Sequence, residues 1–225
     1  MTYLQFLDLL KSQSEAKFAQ FQKRLIPTRY EILGVRTPTM RKLAHQYVSF
    51  IDEIWQYPNE YYEVVFIKLT MVSLLPYVQF LKYLKESISL IDNWALCDCF
   101  KAKCIQKNKD DFLIVLNKLF DLRSEYAQRY VLVTMLSEYI SKEYFSQIEY
   151  FIKHADTSLF YIHMAVAWLV AEILVKEYDF GLYILRVGIL DTKTYNKAIQ
   201  KATESFRIKN EQKEYLRSLK IKLKK

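Results

Sequence analysis

The sequence predicts an all-α fold, built as an α-solenoid of HEAT-like helical repeats, and three observations support this prediction. The chain contains only 3 Gly and 4 Pro among 225 residues, fewer turn residues than a sheet protein of this length needs. Helical segments recur as two-helix units about every 33 residues, which is a solenoid period. The connections between these segments are only a few residues long, as helix hairpins require.

The first part of the chain predicts three helices before the regular repeats begin. The first two are expected at Thr2 to Lys11 and at Glu15 to Leu25. The second stops at Ile26-Pro27, because proline steers its predecessor away from the α region. Thr37 is a natural N-cap and Pro38 a natural first helical residue, so a third helix is expected over 38–49. Gly34 supplies the tight turn ahead of it.

From residue 60 onward the sequence predicts four helix pairs of similar spacing. Their expected bounds are 60–73 with 77–87, 92–107 with 110–121, 125–139 with 142–153, and 158–176 with 179–188. The first helices therefore begin near Glu60, Asp92, Glu125 and Ser158. The repeat has no strict consensus, so the units resemble HEAT repeats more than tetratricopeptide or ankyrin repeats. A single domain over residues 1–225 is expected.

The charge balance of the chain favours an anionic partner. Lys and Arg number 33 against 25 Asp and Glu, which gives a formal net charge of +8 and a pI near 9.2. Nucleic acid is the first candidate and a membrane surface the second. No apolar run reaches the roughly 18 residues that span a bilayer, and the N-terminus lacks a signal-peptide layout. We therefore expect a soluble, cytoplasmic protein.

The last segment, Thr192 to Lys225, is strongly basic. Lys193, Lys197 and Lys201 recur every fourth residue, which places three ammonium groups on one helical face. The basic bias continues with Arg207, Lys209, Lys213, Arg217, Lys220, Lys222, Lys224 and Lys225. The segment is either a solvated helix with a frayed tail or an end cap that contacts phosphates, and the sequence leaves both interpretations open.

Metal and cofactor chemistry find little support in the sequence. Cys97, Cys99 and Cys104 lie within one predicted helix, and an odd, clustered set suits a reducing compartment better than a disulfide framework. Cys97 and Cys104 would share a helix face, but no His is nearby in sequence, so no zinc site is expected. Three isolated glycines cannot build a phosphate-binding loop or a nucleophile elbow. We expect neither a metal nor a cofactor, and His163 is expected to be a satisfied core or edge residue.

Four residues on the first helices form a candidate site: Trp94, Asp98, Arg129 and Trp168. Trp94 and Asp98 are spaced i, i+4 and lie on one helix face. The opposite face carries residues expected to pack, namely Leu96, Cys99 and Phe100. Taken singly, each Trp is more often core than catalytic, and Arg129 is either a structural partner for an acid or a phosphate ligand. Because first helices share one concave surface, the four side chains are predicted to meet there.

Several motifs in this chain resemble those of one known family. Gly34-Val35-Arg36-Thr37-Pro38, followed by Arg41-Lys42-Leu43, is similar to its entry motif to the third helix. Trp94 and Asp98 fit its Trp and catalytic Asp, and Arg129 falls where it carries an active-site Arg. Phe160 to Trp168 resembles the stretch that leads to its second Trp. The family is that of the AlkD-type HEAT-like repeat DNA glycosylases, the DNA alkylation repair proteins, and the resemblance covers nearly the whole chain.

This resemblance implies a solenoid that holds double-stranded DNA in a basic groove and excises cationic N3- or N7-alkylated purines. We expect the protein to be a monomer. Asp98 would be the catalytic carboxylate, Trp94 and Trp168 would flank the lesion, and Arg129 would engage a DNA phosphate and help to fix Asp98. Further DNA contacts are expected from Arg36, Arg41, Lys42, Lys193, Lys197 and Lys201.

One segment departs from the family pattern. Active members carry a helix before the entry motif that reaches the minor groove, often with a Met-Ala-x-Tyr-Met type sequence. The corresponding stretch here, Lys17 to Pro27, lacks that pattern and ends in a helix breaker. This departure is typical of a diverged branch, so a catalytically weak or inactive DNA-binding paralogue is the alternative function.

Overall fold

A computed structural model, which describes residues 1–221, shows an almost entirely helical protein. Its α-helices are α1 (Tyr3–Ser12), α2 (Ala16–Leu25), α3 (Thr37–Tyr47), α4 (Ile51–Trp55), α5 (Tyr62–Ser73), α6 (Tyr77–Leu90), α7 (Trp94–Cys99), α8 (Lys109–Phe120), α9 (Glu125–Glu138), α10 (Phe145–His154), α11 (Phe160–Lys176), α12 (Tyr178–Arg186), α13 (Thr192–Glu204) and α14 (Asn210–Ser218). Short 3₁₀ helices occur at Val48–Phe50, Lys103–Lys107 and Lys142–Tyr144. Within residues 1–221 there is no β-strand, and isolated β-bridges join Ser14 to Val35 and Glu31 to Tyr61.

The predicted class, all-α with solenoid-type helical repeats, is confirmed. The first helices of the pairs, α5, α7, α9, α11 and α13, begin at Tyr62, Trp94, Glu125, Phe160 and Thr192. These positions lie roughly 33 residues apart, which is the predicted period. Helix α2 also ends as expected, since Ile26 before the proline adopts extended backbone at φ −114°, ψ 103°.

Several helix boundaries differ from the prediction, and three of these differences change a helix cap or the continuity of a helix. The segment expected to be one helix over 92–107 is interrupted, because Phe100 leaves helical geometry at φ −80°, ψ 78° and buries its ring against Phe80. Cys97 and Cys104 therefore do not share a helix face. Helix α3 already includes Thr37, so Arg36 rather than Thr37 is the cap residue. The helix expected over 142–153 begins with a 3₁₀ turn ahead of α10.

The described chain falls into two compact units, one spanning Met1–Asn108 and the other beginning at Lys109. The expectation of a single domain over residues 1–225 stays a prediction. No helix within residues 1–221 has the length and apolar character needed to cross a membrane. Lys222, Lys224 and Lys225 of the predicted basic segment lie outside the described residues.

Helix α5 forms the centre of the first unit. Every residue from Tyr62 to Leu69 is buried, and the helix packs against α3, α4, α6 and α7. A helix that is apolar on all sides has no solvent face, so it must lie inside its unit. Two ionisable residues, Glu63 and Lys68, interrupt this apolar run and are buried with it.

Lys68 is held by backbone and amide oxygens. Its ammonium donates to Trp55 O at 2.9 Å, to Asn59 Oδ1 at 2.8 Å and to Tyr57 O. These acceptors lie at or beyond the end of α4, where carbonyls lack helical partners. Burial lowers the pKa of Lys68 to about 8. The lysine therefore joins α5 to the loop that follows α4.

Helix α11 has the central place in the second unit. It packs against α9, α12 and α13. Most of its residues from Ile162 to Leu174 are buried, in keeping with its nearly continuous apolar sequence. Because consecutive first helices lie side by side, their remaining exposed positions form one surface of this unit.

Candidate functional site

The start of helix α7 is fixed by two polar side chains. Asn93 is fully buried and accepts a hydrogen bond from the Leu96 amide at 3.0 Å, which caps the helix. Asp92 accepts hydrogen bonds from Thr28 Oγ1 at 2.9 Å and from the Arg29 amide at 2.7 Å. The Asp92 carboxylate, two residues before α7, therefore joins the loop after α2 to the start of α7, and this helps to fix the position of Trp94.

Trp94 and Asp98 lie one turn apart on α7, as the sequence predicts. Both side chains are partly exposed, so neither belongs to the buried core of the first unit. The interpretation of Trp94 as a core residue is therefore wrong. A partly exposed indole beside a carboxylate provides an apolar face and a negative charge at the same surface.

The other side of α7 packs as expected, with one exchange. Leu96 and Phe100 are buried, at 1% and 2% exposure, but the buried cysteine is Cys97 and not Cys99. Cys99 is partly exposed and hydrogen bonds with Arg41. Burial raises the pKa of the Cys99 thiol, and Arg41 partly opposes this by favouring the thiolate. All three cysteines are free thiols.

The indole of Trp94 also contacts the helix that departs from the family pattern. Its Nε1–H donates to Leu25 O, the last residue of α2, at 3.4 Å. That carbonyl lacks a partner within the helix because it belongs to the final turn. On the outer face of α2, Phe21 and Leu25 are 57% and 48% exposed. Most of the stretch Lys17–Pro27 thus belongs to a formed helix, α2, whose last carbonyl contacts Trp94.

Helix α2 is itself held by a turn at Gly34. The Glu15 amide donates to Gly34 O at 3.0 Å, and Gly34 adopts φ +92°. A Cβ atom on Gly34 would lie 2.5 Å from Glu15 O and 2.7 Å from the Ala19 nitrogen. Only glycine allows both this backbone conformation and the close approach of α2.

A buried carboxylate fixes the same turn from the other side. Glu63 of α5 is 0% exposed and accepts hydrogen bonds from the amides of Gly34 at 2.7 Å, Leu33 at 3.1 Å and Val35 at 3.3 Å. Three donors satisfy a buried charge that would otherwise be strongly destabilising. Glu63 thus connects the central helix to the loop that positions both α2 and α3.

The predicted DNA-binding residues of the first unit differ in their surroundings. Arg36 forms a bidentate pair with Glu15, at 2.9 and 2.7 Å, and its guanidinium lies 4.1 Å from the Phe18 ring centroid. Arg41 and Lys42 are exposed on α3. The Glu15 carboxylate neutralises much of the Arg36 charge and lowers its own pKa through that pair. Contact of these three residues with DNA stays a prediction.

Arg129 is the buried cation of the second unit. Its side chain belongs to α9 and is 5% exposed, and its Nη1 donates to Tyr161 O at 2.8 Å. The guanidinium carbon lies 5.9 Å from the centroid of the Tyr161 ring. The predicted alternatives, a structural partner for an acid or a phosphate ligand, both remain open. The carbonyl contact shows that Arg129 at least joins α9 to the start of α11.

Trp168 is not a core residue, although most of α11 is. Its indole is partly exposed and lines a cleft of about 250 Å³ between α11 and the end of α13. The polar residues around this cleft include Glu172, Lys201, Glu204 and Arg207. Glu172, one turn after Trp168, accepts hydrogen bonds from Arg207 at 2.8 and 2.6 Å, and this lowers the pKa of Glu172.

The three lysines predicted to share a face of α13 are placed at two different clefts. Lys201 lines the cleft of Trp168, whereas Lys193 and Lys197 line a second cleft with His163. His163 is 2% exposed and its Nδ1 lies 2.8 Å from Thr194 Oγ1. The expectation of a satisfied histidine is confirmed. Burial, with Lys193 nearby, lowers the pKa of His163.

Metal ligation finds no support in the part of the chain that the structure describes. Within residues 1–221, no group of three or more His, Cys, Asp or Glu side chains could hold a metal ion.

Sequence reasoning overlooked several residues that support the site. Glu63 and Lys68 carried a signal, since two ionisable residues inside an apolar helix must find partners. Glu172 carried another, because it follows Trp168 at the spacing that separates Asp98 from Trp94. No local signal could have identified Asp92, whose partners lie more than sixty residues earlier in the chain.

The fold and these side chains define a class of protein, an α-helical repeat protein in which one first helix, α7, carries a partly exposed Trp–Asp pair. Residues 6–179 match the family model described as DNA alkylation repair enzyme, and the matched range contains Trp94, Asp98, Arg129 and Trp168. The chain belongs to the DNA alkylation repair enzyme family. No curated protein matches it. Two of the four residues lie in each compact unit, and their convergence on one surface stays a prediction.

Proposed function

We propose that this protein acts as a DNA glycosylase that excises cationic N3- or N7-alkylpurines from duplex DNA. The observation that carries the proposal is the family match over residues 6–179, which contains every residue proposed to act on the lesion. The partial exposure of Trp94 and Asp98 on one helix face supports it, because a catalytic pair must reach the substrate. The formal charge of +8 supports an anionic polymer as substrate.

The proposed reaction breaks the bond between C1′ of the deoxyribose and N9 of the alkylated purine. The bonding electrons leave with the purine, whose positive charge is neutralised, so the leaving group needs no protonation by a general acid. Water adds at C1′ and loses a proton, which leaves an abasic sugar. The transition state carries positive charge on the sugar, and the carboxylate of Asp98 stabilises that charge and orients the water.

The two tryptophans and Arg129 have supporting roles in this proposal. An indole face attracts a cation by about 0.5–2 kcal/mol, so Trp94 and Trp168 favour the charged lesion and the charged sugar. Arg129 contacts a phosphate of the lesion strand. Its guanidinium is already oriented by Tyr161 O, which reduces the entropy lost on binding. Arg36, Arg41, Lys42, Lys193, Lys197 and Lys201 are proposed to contact other phosphates.

The rival function is DNA binding without excision. It is motivated by the stretch Lys17–Pro27, which lacks the family pattern although its residues 17–25 belong to helix α2. A catalytically inactive paralogue would bind DNA with an affinity that falls steeply with salt, because phosphate contacts release counterions. It would release no base from alkylated duplex.

The test is release of 7-methylpurine from methylated duplex DNA by wild type and by Asp98→Asn. We expect Asp98→Asn to lower the rate about 100-fold or more, as removal of one group that stabilises transition-state charge does. Asp121→Asn is the matched control, since Asp121 is exposed at the end of α8. Equal release by wild type and Asp98→Asn, at background, would refute the glycosylase and support the rival.

A double-mutant cycle tests whether Asp98 and Arg129 act on one substrate molecule. If both stabilise the same transition state, the losses in Asp98→Asn and Arg129→Gln are expected to be strongly non-additive in the double variant. Fully additive losses would argue that the two residues act independently.

A further inference from the structure

The second unit contains a cleft that none of the residues proposed to act on the lesion lines, although two of its lysines, Lys193 and Lys197, are among the proposed phosphate contacts. It lies between the start of α11 and the exposed side of α13, next to the end of the described chain. Its volume is about 460 Å³, larger than the 250 Å³ cleft of Trp168. Ligand sites for molecules of nucleotide size lie in the range of about 300–1,000 Å³.

Among the residues that line this cleft, only lysines carry formal charge. Lys193, Lys197 and Lys220 line it, and no Asp or Glu is among its lining residues. None of the three lysines forms an ion pair with another residue in the described range 1–221. The cleft of Trp168 differs, because Glu172 is there paired with Arg207. The unbalanced positive charge fits an anionic ligand.

The third lysine is placed by a specific contact and not by a loose chain end. Asn196 of α13 donates from Nδ2 to Ile221 O at 2.8 Å and accepts from the Ile221 amide at 3.0 Å. Tyr195 also donates its hydroxyl to Leu219 O at 3.2 Å. Lys220 lies between these two fixed residues. The segment after α14 is thereby held against α13, and this completes the wall of the cleft.

The floor of the cleft offers an aromatic surface. Phe160, the first residue of α11, is 57% exposed, and Met164 follows one turn later. The Phe160 ring makes an edge contact with Tyr161, with ring centroids 5.2 Å apart and planes at 78°. An exposed ring beside ammonium groups is the combination with which proteins bind unpaired nucleotides, through stacking of the base and contacts to the phosphate.

The geometry points to a subsite for an unpaired nucleotide of DNA, with phosphates on Lys193, Lys197 and Lys220 and the base stacked on Phe160. The inference rests on the proposed function only in taking DNA as the partner. A base inside an intact duplex presents no face to a ring, so a fully paired duplex cannot fill the cleft. The protein should therefore prefer a duplex that carries unpaired nucleotides.

The experiment compares two labelled DNAs by fluorescence anisotropy with the full chain. One is a blunt duplex, and the other is the same duplex extended by three unpaired nucleotides at one end. We expect the extended duplex to bind about 10-fold more tightly, which corresponds to about 1.4 kcal/mol and matches the stacking of one base. Phe160→Ala should abolish this preference and leave the affinity for the blunt duplex unchanged.

Lysine variants separate a local site from general charge. The triple variant K193A/K197A/K220A should reduce the slope of log K against log salt for the extended duplex by about 2–3, since each lost phosphate contact contributes about 0.7–0.9. The control triple variant K118A/K142A/K153A removes the same charge from exposed positions of the same unit. It should keep the preference for the extended duplex.

The inference is overturned if wild type binds both DNAs equally, or if both triple variants lose the preference to the same extent. If wild type releases base faster than Asp98→Asn but shows no preference for unpaired nucleotides, only the subsite is overturned. A preference without base release would overturn the glycosylase alone. Absence of binding to either DNA would overturn both.

Discussion

Replacing Gly34 by alanine should destabilise the protein more than replacing Gly188 by alanine, which strains only the backbone. Gly34 adopts φ +92°, a conformation that costs an alanine about 1 kcal/mol. The new Cβ would also lie 2.5 Å from Glu15 O and 2.7 Å from the Ala19 nitrogen. Both are backbone atoms of the start of α2, so no side-chain rotation relieves the overlap. Displacing a packed element in this way costs roughly 1–3 kcal/mol more.

The expected total is a loss of about 3 kcal/mol, which lowers the melting temperature by about 6–12 °C for a chain of this size. Gly188→Ala is the matched control, because Gly188 adopts φ +72° but a Cβ there has nothing within 4 Å. It should lose only about 1 kcal/mol, the part due to the backbone. Urea and thermal unfolding followed by circular dichroism measure both variants. Equal losses would show that the approach of α2 to Gly34 does not stabilise the fold.

Three further predictions concern buried or paired charges. Glu63→Gln should lower the free energy of unfolding in urea by about 2–3 kcal/mol, because a glutamine side chain has only one acceptor oxygen for the three backbone N–H groups that Glu63 binds. An unchanged urea midpoint would contradict this role. Lys68 has a pKa of about 8 in the folded protein against an ordinary value of 10.5. Between these pH values the unfolded chain holds a proton on Lys68 that the folded chain has lost, so Lys68 should make the free energy of unfolding rise with pH from 8 to 10. Lys68→Met should lack this rise, and the same pH dependence of the free energy of unfolding in both proteins would refute the lowered pKa. Arg207→Gln should cost about 0.5–1 kcal/mol at pH 7, and the difference should shrink as the pH falls through the lowered pKa of Glu172. A difference that does not shrink as the pH is lowered would exclude the ion pair as its cause.

The helical class and the repeat could be predicted because they depend on features that recur along the chain. Scarce glycine and proline, short connections and apolar periodicity all act locally, and the observed first helices begin within a few residues of their predicted starts. The break at Phe100 could not be predicted in this way. It results from the ring of Phe100 burying against Phe80, a tertiary contact that overrides helix propensity.

The shared helix face of Trp94 and Asp98 could be predicted from the sequence, but the contacts that hold this face in place could not. Trp94 and Asp98 share a face by helix geometry alone. Their attachment to the rest of the unit depends on contacts between distant segments, such as Asp92 with Thr28 and Glu63 with Gly34. No spacing rule within a helix encodes such contacts. The exposure of Trp168 likewise follows from which side of α11 is left uncovered by α9 and α13.

The hydrogen bond between Trp94 and Leu25 makes Gly34 important for the site as well as for stability. To restore ordinary contact with an alanine Cβ, Glu15 O would have to move by about 0.9 Å. A ten-residue helix moves largely as a rigid body, and the Trp94–Leu25 distance of 3.4 Å is already near the limit for a hydrogen bond. Gly34→Ala should therefore release the indole.

In Trp94→Phe that hydrogen bond is already absent while an aromatic face is kept. The assay is run at a temperature below the melting temperatures of all variants. Under the proposed function, the double variant that combines Gly34→Ala with Trp94→Phe should then release base almost as fast as Trp94→Phe alone. Additive losses in this cycle would show that α2 acts on excision through contacts other than Trp94. The exposed Phe21 of α2 would then be the next residue to replace, since it could act on DNA directly.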